Sequence, residues 1–159
     1  VLVTAHRREN FGAPFREVCL AIRDLADRHG DVHFVYPVHP NPNVSGPARE
    51  ILDGHERITL CPPMDYLPFV AAMKRAYLVL TDSGGVQEET TILNVPCITL
   101  RENTERPVTI LQGTNVLVGT ETEKILAATN AVLSAPKSAP RRPELWDGRA
   151  AERALALAM

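Results

Sequence analysis

A segment at residues 81–89, Thr-Asp-Ser-Gly-Gly-Val-Gln-Glu-Glu, combines residue types that suit phosphate binding. After Ser83, Gly84 and Gly85 let a ligand approach the backbone closely, and the helical pattern that follows supplies unpaired N–H groups and a positive dipole end. Such a dipole contributes only about 0.3–1 kcal/mol to binding an exposed anion, so a cationic side chain is also needed. The candidate cations are Arg7, Arg8 and Arg106. The alternative interpretation is an ordinary strand-to-helix turn.

Glu89 lies one turn beyond these glycines, where its carboxylate is placed to accept hydrogen bonds from a ribose diol. Glu88 and Glu89 also stand near a helix start, where carboxylates are stabilised by the dipole. A purely structural role is therefore the competing interpretation for either residue.

Two histidines follow apolar runs, His6 after the first and His39 after the second. If both runs are parallel strands, the two imidazoles lie on the same rim of the sheet, which favours contact with an anion or proton transfer. A lone histidine is more often structural, and that is our interpretation of His29, His33 and His55. No HxH or HExxH spacing occurs, so the sequence predicts no metal site.

Apolar β-rich runs alternate with helical periodicity along the chain. Predicted strands cover residues 1–4, 32–38, 58–61, 77–81, 97–100 and 116–118. The first helix has Pro14 in its first turn and Gly30 at its end. Further helices are predicted at 44–53, 66–76 with Asp65 as a cap, 86–93, 124–133 after Thr120, and 150–157. Residues 134–143 carry three prolines and are predicted to be a linker, which leads into a terminal helical segment at 144–159.

The nearly continuous apolar strands imply burial on both faces, so the predicted fold class is α/β, a doubly wound parallel sheet. In the common strand order 3-2-1-4-5-6, strands one and four are neighbours where the order reverses, and ligands bind beyond their carboxyl ends. Strand one runs into residues 5–10 and strand four into residues 82–85. The polar and glycine-rich segments are therefore expected to meet at one crevice.

The 159 residues are 45% hydrophobic and 23% charged, with a net charge of −2. This balance provides no basic field for nucleic acid, and no apolar stretch approaches the roughly 20 residues that span a bilayer. Cys19, Cys61 and Cys97 have no paired spacing and are expected to be buried thiols in a reducing cytosol. The chain opens directly in a strand without Met or a signal peptide, so we expect a fragment whose N-terminal partner domain lies on the same polypeptide.

Four segments, at residues 6–10, 37–42, 81–89 and 104–107, occur in order, with Trp-Asp-Gly at 146–148 near the end. Together they resemble the C-terminal domain of non-hydrolysing UDP-N-acetylglucosamine 2-epimerases over nearly the whole chain. Two departures are Thr90-Thr91 where the family often has Ala-Pro, and Val108 where it has Glu. These departures leave the exact sugar specificity open.

The resemblance implies a GT-B-type enzyme of two Rossmann-like domains, of which this chain is the second, with the sugar nucleotide in the cleft. The family interconverts UDP-GlcNAc and UDP-ManNAc by eliminating and re-adding UDP, without a cofactor, and a homodimer is implied for the full-length protein. By this resemblance His6 lies at the reacting centre, and carboxylates of the absent N-terminal domain perform acid–base work. The implied UDP-sugar ligands are Ser83, Gly84, Gly85 and Arg106 for the diphosphate, Glu89 for the ribose and the backbone near Phe69 for the uracil. A second, activating UDP-GlcNAc is implied near Arg7 and His39.

Two alternatives are a GT-B glycosyltransferase domain, which shares the fold and UDP site, and a stand-alone UDP-sugar-binding module. The first and last of the four ordered segments argue against the glycosyltransferase. A start codon directly before Val1 would favour the stand-alone module.

Overall fold

The computed structural model describes residues 1–135 and 142–158, and its centre is a six-stranded parallel sheet. The strand order is β3-β2-β1-β4-β5-β6, the common doubly wound order on which the expected position of the crevice depends. The strands are β1 Leu2–Thr4, β2 Phe34–Pro37, β3 Ile58–Cys61, β4 Val79–Thr81, β5 Cys97–Thr99 and β6 Asn115–Leu117. All five neighbouring pairs are parallel, and Thr4 of β1 is in register with Thr81 of β4. The exits of β1 and β4 therefore lie side by side.

The strands alternate with helices, as predicted, and the α/β Rossmann-like class is confirmed. The helices are α1 Ala13–Arg28, α2 Pro42–Leu52, α3 Tyr66–Arg75, α4 Gly84–Leu93, α5 Pro107–Leu111, α6 Thr122–Ser134 and α7 Ala150–Ala158. Helix α2 begins two residues earlier than predicted because the Asn41 side chain accepts the Asn43 N–H at 2.9 Å and Pro42 suits the first turn. Helix α4 begins at Gly84, so both glycines belong to its first turn.

Several boundaries were predicted wrongly. Asp65 occupies the N-cap position of α3, but its side chain makes no capping hydrogen bond, and α6 is preceded by Glu121 rather than Thr120 at its N-cap. The helix predicted at 150–157 is confirmed as α7, whereas residues 144–149 of the predicted terminal segment are not helical. Ser134 ends α6 instead of opening a linker, and residues 136–141 of that linker lie outside the described residues.

Apolar side chains of the central strands alternate between two cores, one on each face of the sheet. Val3, Leu80 and Ile98 join the core formed with α1, α2 and α6. Their neighbours on the same strands, such as Leu2 and Val79, join the smaller core formed with α3 and α4. Each fully buried side chain of this kind contributes roughly 1.5–3 kcal/mol, so the sheet is a rigid base for the loops at its rim.

The cysteines follow this burial pattern only in part. Cys19 and Cys97 are buried, and loss of solvation raises the pKa of each thiol to about 12. Cys61 is partly exposed, contrary to prediction, because it ends β3 at the rim of the sheet. Across residues 1–135 and 142–158, no helix is both long and apolar enough to cross a membrane.

Candidate functional site at the exits of β1 and β4

Asp82, the first residue after β4, joins the two central loops of the rim. Its side chain is fully buried, and its Oδ2 accepts the backbone N–H of His6 at 2.9 Å and that of Arg7 at 2.8 Å. The same oxygen accepts the Asn10 side-chain amide at 3.2 Å, and that amide also donates to the Leu100 carbonyl at 3.3 Å. The Asp82 carboxylate and the Asn10 amide together therefore connect the loops that follow β1, β4 and β5.

Burial raises the pKa of Asp82, while its donors and the imidazole of His6 oppose that rise. Its second oxygen, Oδ1, is also buried and has no hydrogen-bond partner among the described residues.

The β1 exit turns tightly after His6. Residues Arg8–Asn10 form a 3-10 turn that sequence periodicity did not predict, and Arg8 is exposed at its start. The rings of His6 and His39 are stacked, with centroids 5.3 Å apart and planes inclined by 15°. The structure therefore brings together the two histidines that the strand order places on one rim.

The glycine-containing turn forms the other side of the crevice. Ser83 is the N-cap of α4, and its N–H donates to Thr81 Oγ1 at 3.0 Å. A Cβ added at Gly84 would lie 3.2 Å from Glu105 Oε1, whereas one added at Gly85 would meet no atom within 4 Å. The N–H groups of this first turn have no carbonyl one turn earlier to bond, so they are available to an anion.

Arg106 reaches the same turn from the loop after β5. Gln87, which is fully buried in α4, accepts the Thr104 hydroxyl at 2.8 Å, and Thr104 Oγ1 accepts the Arg106 N–H at 3.0 Å. The Arg106 Nε lies 3.1 Å from Glu88 Oε1, and both side chains are about two-fifths exposed. The predicted phosphate-binding cation is thus beside the glycine turn and paired with a carboxylate.

Arg7 belongs to a separate ionic cluster. It lies 3.8 Å from Glu105 and 3.7 Å from Glu9, and the buried Arg101 contacts both carboxylates at 2.8 Å. A backbone N–H bond and the Arg101 guanidinium lower the pKa of Glu105. The sequence made Arg7 a candidate cation for the phosphate, and the structure places it between two carboxylates.

Glu89, in the second turn of α4, accepts the Tyr66 hydroxyl at 3.1 Å. That bond raises the pKa of Tyr66. Both residues line an apolar groove of about 460 Å³ that also includes Val70, Ile92 and Trp146. Phe69 packs partly buried against the smaller core instead, and its N–H donates to the Asp65 carbonyl within α3.

Sequence reasoning missed Asp82, Gln87, Arg101 and Tyr66 as site residues. Asp82 had one available signal, since it is an acidic residue directly after an apolar strand at the predicted reversal of strand order. The other three are recognised only from their partners.

The chain matches the UDP-N-acetylglucosamine 2-epimerase family model over residues 1–158. It is 51% identical over 134 residues to the UDP-N-acetylglucosamine 2-epimerase of Yersinia pestis, a match that covers 84% of this chain and 36% of that protein. The Escherichia coli K12 protein of the same name is 47% identical over 133 residues, covering 84% of this chain and 35% of that protein.

Solved structures similar to this chain include enzymes of the same name. The Neisseria meningitidis UDP-GlcNAc 2-epimerase bound to UDP-GlcNAc superposes with a TM-score of 0.92 at 36% identity, covering 99% of this chain and 43% of that one. The Methanocaldococcus jannaschii enzyme in complex with UDP-GlcNAc and UDP gives a TM-score of 0.82 at 35% identity, covering 99% and 44%. The chain spans about a third of the length of the two curated relatives given above. Since the family model matches all but the last of its residues, the chain belongs to the UDP-N-acetylglucosamine 2-epimerase family.

Proposed function

We propose that this chain is the UDP-binding domain of an epimerase that interconverts UDP-GlcNAc and UDP-ManNAc. The observation that carries the proposal is the convergence of the α4 N-terminus, Arg106 and His6 at the point where the strand order reverses. The relatives' names and the ligands bound in the solved neighbours support the same substrate.

In this proposal the diphosphate lies at the first turn of α4. The N–H groups of Gly84 and Gly85 and the Ser83 side chain contact its oxygens, and the Arg106 guanidinium leaves Glu88 to pair with it. Glu89 exchanges the Tyr66 hydroxyl for the ribose diol, and the uracil lies against α3 near Phe69.

The chemistry requires two kinds of assistance. Cleavage of the C1–O bond places negative charge on the departing UDP, and preorganised N–H groups with Arg106 stabilise that charge. A base must remove the weakly acidic C2 proton, which leaves a 2-acetamidoglucal, and re-addition of UDP with protonation of the opposite face completes the inversion. His6 lies at the reacting centre in this arrangement.

We further propose that the acid–base carboxylates lie on an N-terminal domain of the same polypeptide that closes the cleft, in a GT-B-type arrangement that dimerises when full length. The share of the relatives that this chain spans supports a second domain. Arg7 and His39 would face a second UDP-GlcNAc there, and the stack of His39 on His6 would connect that molecule with the reacting centre.

The test compares the 159-residue chain with a longer polypeptide that includes the upstream coding sequence. Calorimetry should show weak UDP binding by the short chain, and proton NMR of the anomeric region should show UDP-ManNAc only with the longer one. His6→Ala in the longer protein should lower turnover far more than it perturbs folding. His33→Ala, a change at an exposed histidine bonded to Thr59, is the matched control and should leave turnover intact.

Absence of UDP binding in both proteins would overturn the proposal. Production of UDP-ManNAc by the short chain alone would refute the division of labour between two domains.

A further inference from the structure

Two buried side chains hold the backbone on either side of the His6 α-carbon. The peptide group that joins Ala5 to His6 is held at both ends: the Tyr36 hydroxyl donates to its carbonyl oxygen at 2.5 Å, and Asp82 Oδ2 accepts its N–H at 2.9 Å. The next peptide group, between His6 and Arg7, donates its N–H to the same Asp82 oxygen at 2.8 Å. With both flanking peptide planes held, the two backbone dihedrals of His6 have little freedom, and these direct its side chain.

We propose that Tyr36 and Asp82, here called the His6 clamp, are positioning residues that fix the imidazole of His6 for the epimerisation. The inference rests on the proposed function for its catalytic consequence, and its structural part can be tested without turnover.

The fold alone does not require these side chains. The Asp82 N–H already donates to the Thr4 carbonyl at 3.2 Å, so β4 continues beside β1 whatever the side chain at position 82 is. Burying a carboxylate or a phenolic hydroxyl at 0–1% exposure is costly unless its partners compensate. Within residues 1–135 and 142–158, all four hydrogen bonds of these two groups reach the loop that follows β1, three of them through Asp82 and one through Tyr36.

The clamp also joins His6 to the phosphate side of the site. Asp82 is covalently followed by Ser83, the N-cap of α4, so the group that directs His6 and the helix start that would bind the diphosphate share one rigid connection. On the other side, the His6 ring is stacked on His39. An error of about 1 Å in placing a catalytic group can lower the rate roughly 100-fold, so holding His6 in place should raise kcat.

The variants are Asp82→Asn and Tyr36→Phe, with Ile22→Val in the α1 core as a stability control that leaves both clamp side chains in place. Asparagine can still accept the three hydrogen bonds but without a charge, and phenylalanine removes only the bond to Ala5. In the 159-residue chain, amide exchange measured by NMR should accelerate at least 10-fold at His6 and Arg7 in Asp82→Asn. In both clamp variants the contacts between the His6 and His39 rings should weaken. Ile22→Val should lower the melting temperature and leave these local signals unchanged.

The kinetic test uses the longer polypeptide. Each clamp variant should lower kcat about 10- to 100-fold with KM changed less than threefold, because UDP binding does not use these side chains. In a His6→Ala background, Asp82→Asn should lower the residual rate less than twofold. If Asp82→Asn lowers the rate by the same factor in the His6→Ala background as in the wild-type protein, the inference is wrong, since Asp82 would then act by a route other than His6.

Unchanged exchange at His6 and Arg7 in Asp82→Asn would overturn the structural part as well. If the wild-type longer protein shows no turnover, the proposed function fails, and the amide exchange and ring contacts still decide whether the clamp exists.

Discussion

Glu88 and Glu89 are adjacent in α4, and the structure predicts opposite effects of neutralising them on UDP affinity. The Glu88 carboxylate lies 3.1 Å from the Arg106 Nε, so UDP must displace it before Arg106 can pair with the diphosphate. Glu88→Gln removes that competitor and one negative charge near an anionic ligand. We expect UDP to bind more tightly to this variant than to the wild type.

The size of the gain follows from the exposure of the pair. Both side chains are about two-fifths exposed, and such ion pairs contribute about 0.2–1 kcal/mol. The wild-type protein must break the Arg106–Glu88 pair to bind UDP, and Glu88→Gln has no such pair to break. This difference corresponds to a roughly 1.4- to 5-fold lower Kd for UDP. Glu89→Gln should instead weaken UDP binding by about 1.5–3 kcal/mol, or roughly 10- to 150-fold, since charged hydrogen bonds to the ribose are lost.

Isothermal titration calorimetry at low ionic strength measures both variants against UDP and against pyrophosphate. Glu88→Gln should tighten both ligands, and its gain should shrink toward zero near 1 M salt, where the Debye length is about 3 Å. Glu89→Gln should weaken UDP while leaving pyrophosphate nearly unchanged. An unchanged or weaker affinity of Glu88→Gln for both ligands would refute the transfer of Arg106 from Glu88 to the diphosphate.

Three further predictions concern the glycine turn, its cation and the buried thiols. Arg106→Lys should lose UDP affinity by 10-fold or more at low salt by calorimetry, because an ammonium cannot replace a bidentate guanidinium; an unchanged Kd would place Arg106 outside the phosphate site. Gly85→Ala should raise the free energy of unfolding by about 0.5–1 kcal/mol in urea titrations, since its methyl meets no protein atom within 4 Å. It should weaken UDP binding, because in the proposed site the diphosphate approaches this backbone closely. Burial raises the pKa of Cys97 to about 12. Above pH 9 the unfolded protein therefore loses the thiol proton that the folded protein still keeps. Stability should therefore fall between pH 9 and 12 by up to about 1.4 kcal/mol per pH unit per thiol, and Cys97→Ala should make that decline shallower in urea titrations across this range.

The six strands were predictable because burial on both faces leaves apolar runs, and right-handed parallel connections made a doubly wound sheet the expected fold. Helix α5, Pro107–Leu111, was missed because five residues are too few to show a helical period. The cap at Asp65 was predicted from residue type alone, and its side chain makes no capping bond. Residue type indicates where a cap is favourable, whereas the loop geometry determines whether it forms.

Some features of the candidate site were likewise predictable from the sequence, and others depend on loop conformation. His6, His39 and the glycine turn were placed together by strand order alone, since each begins within three residues of the end of a strand. The pairing of Arg106 with Glu88 and the burial of Gln87 depend on how the loop after β5 folds back over α4. Hydrophobic periodicity gives no information on how this loop folds back over α4.

The pairing of β1 with β4 also has a consequence for the order of folding. Thr4 meets Thr81, and Asp82 reaches back to His6 across 76 positions, so the ligand site depends on contacts of very long sequence separation. Such contacts close late and slowly, after local helices have formed. During refolding, helical circular dichroism should therefore recover before UDP binding does. UDP would bind only after β1 and β4 have paired. It would then stabilise the fully folded state by an amount set by its concentration relative to Kd.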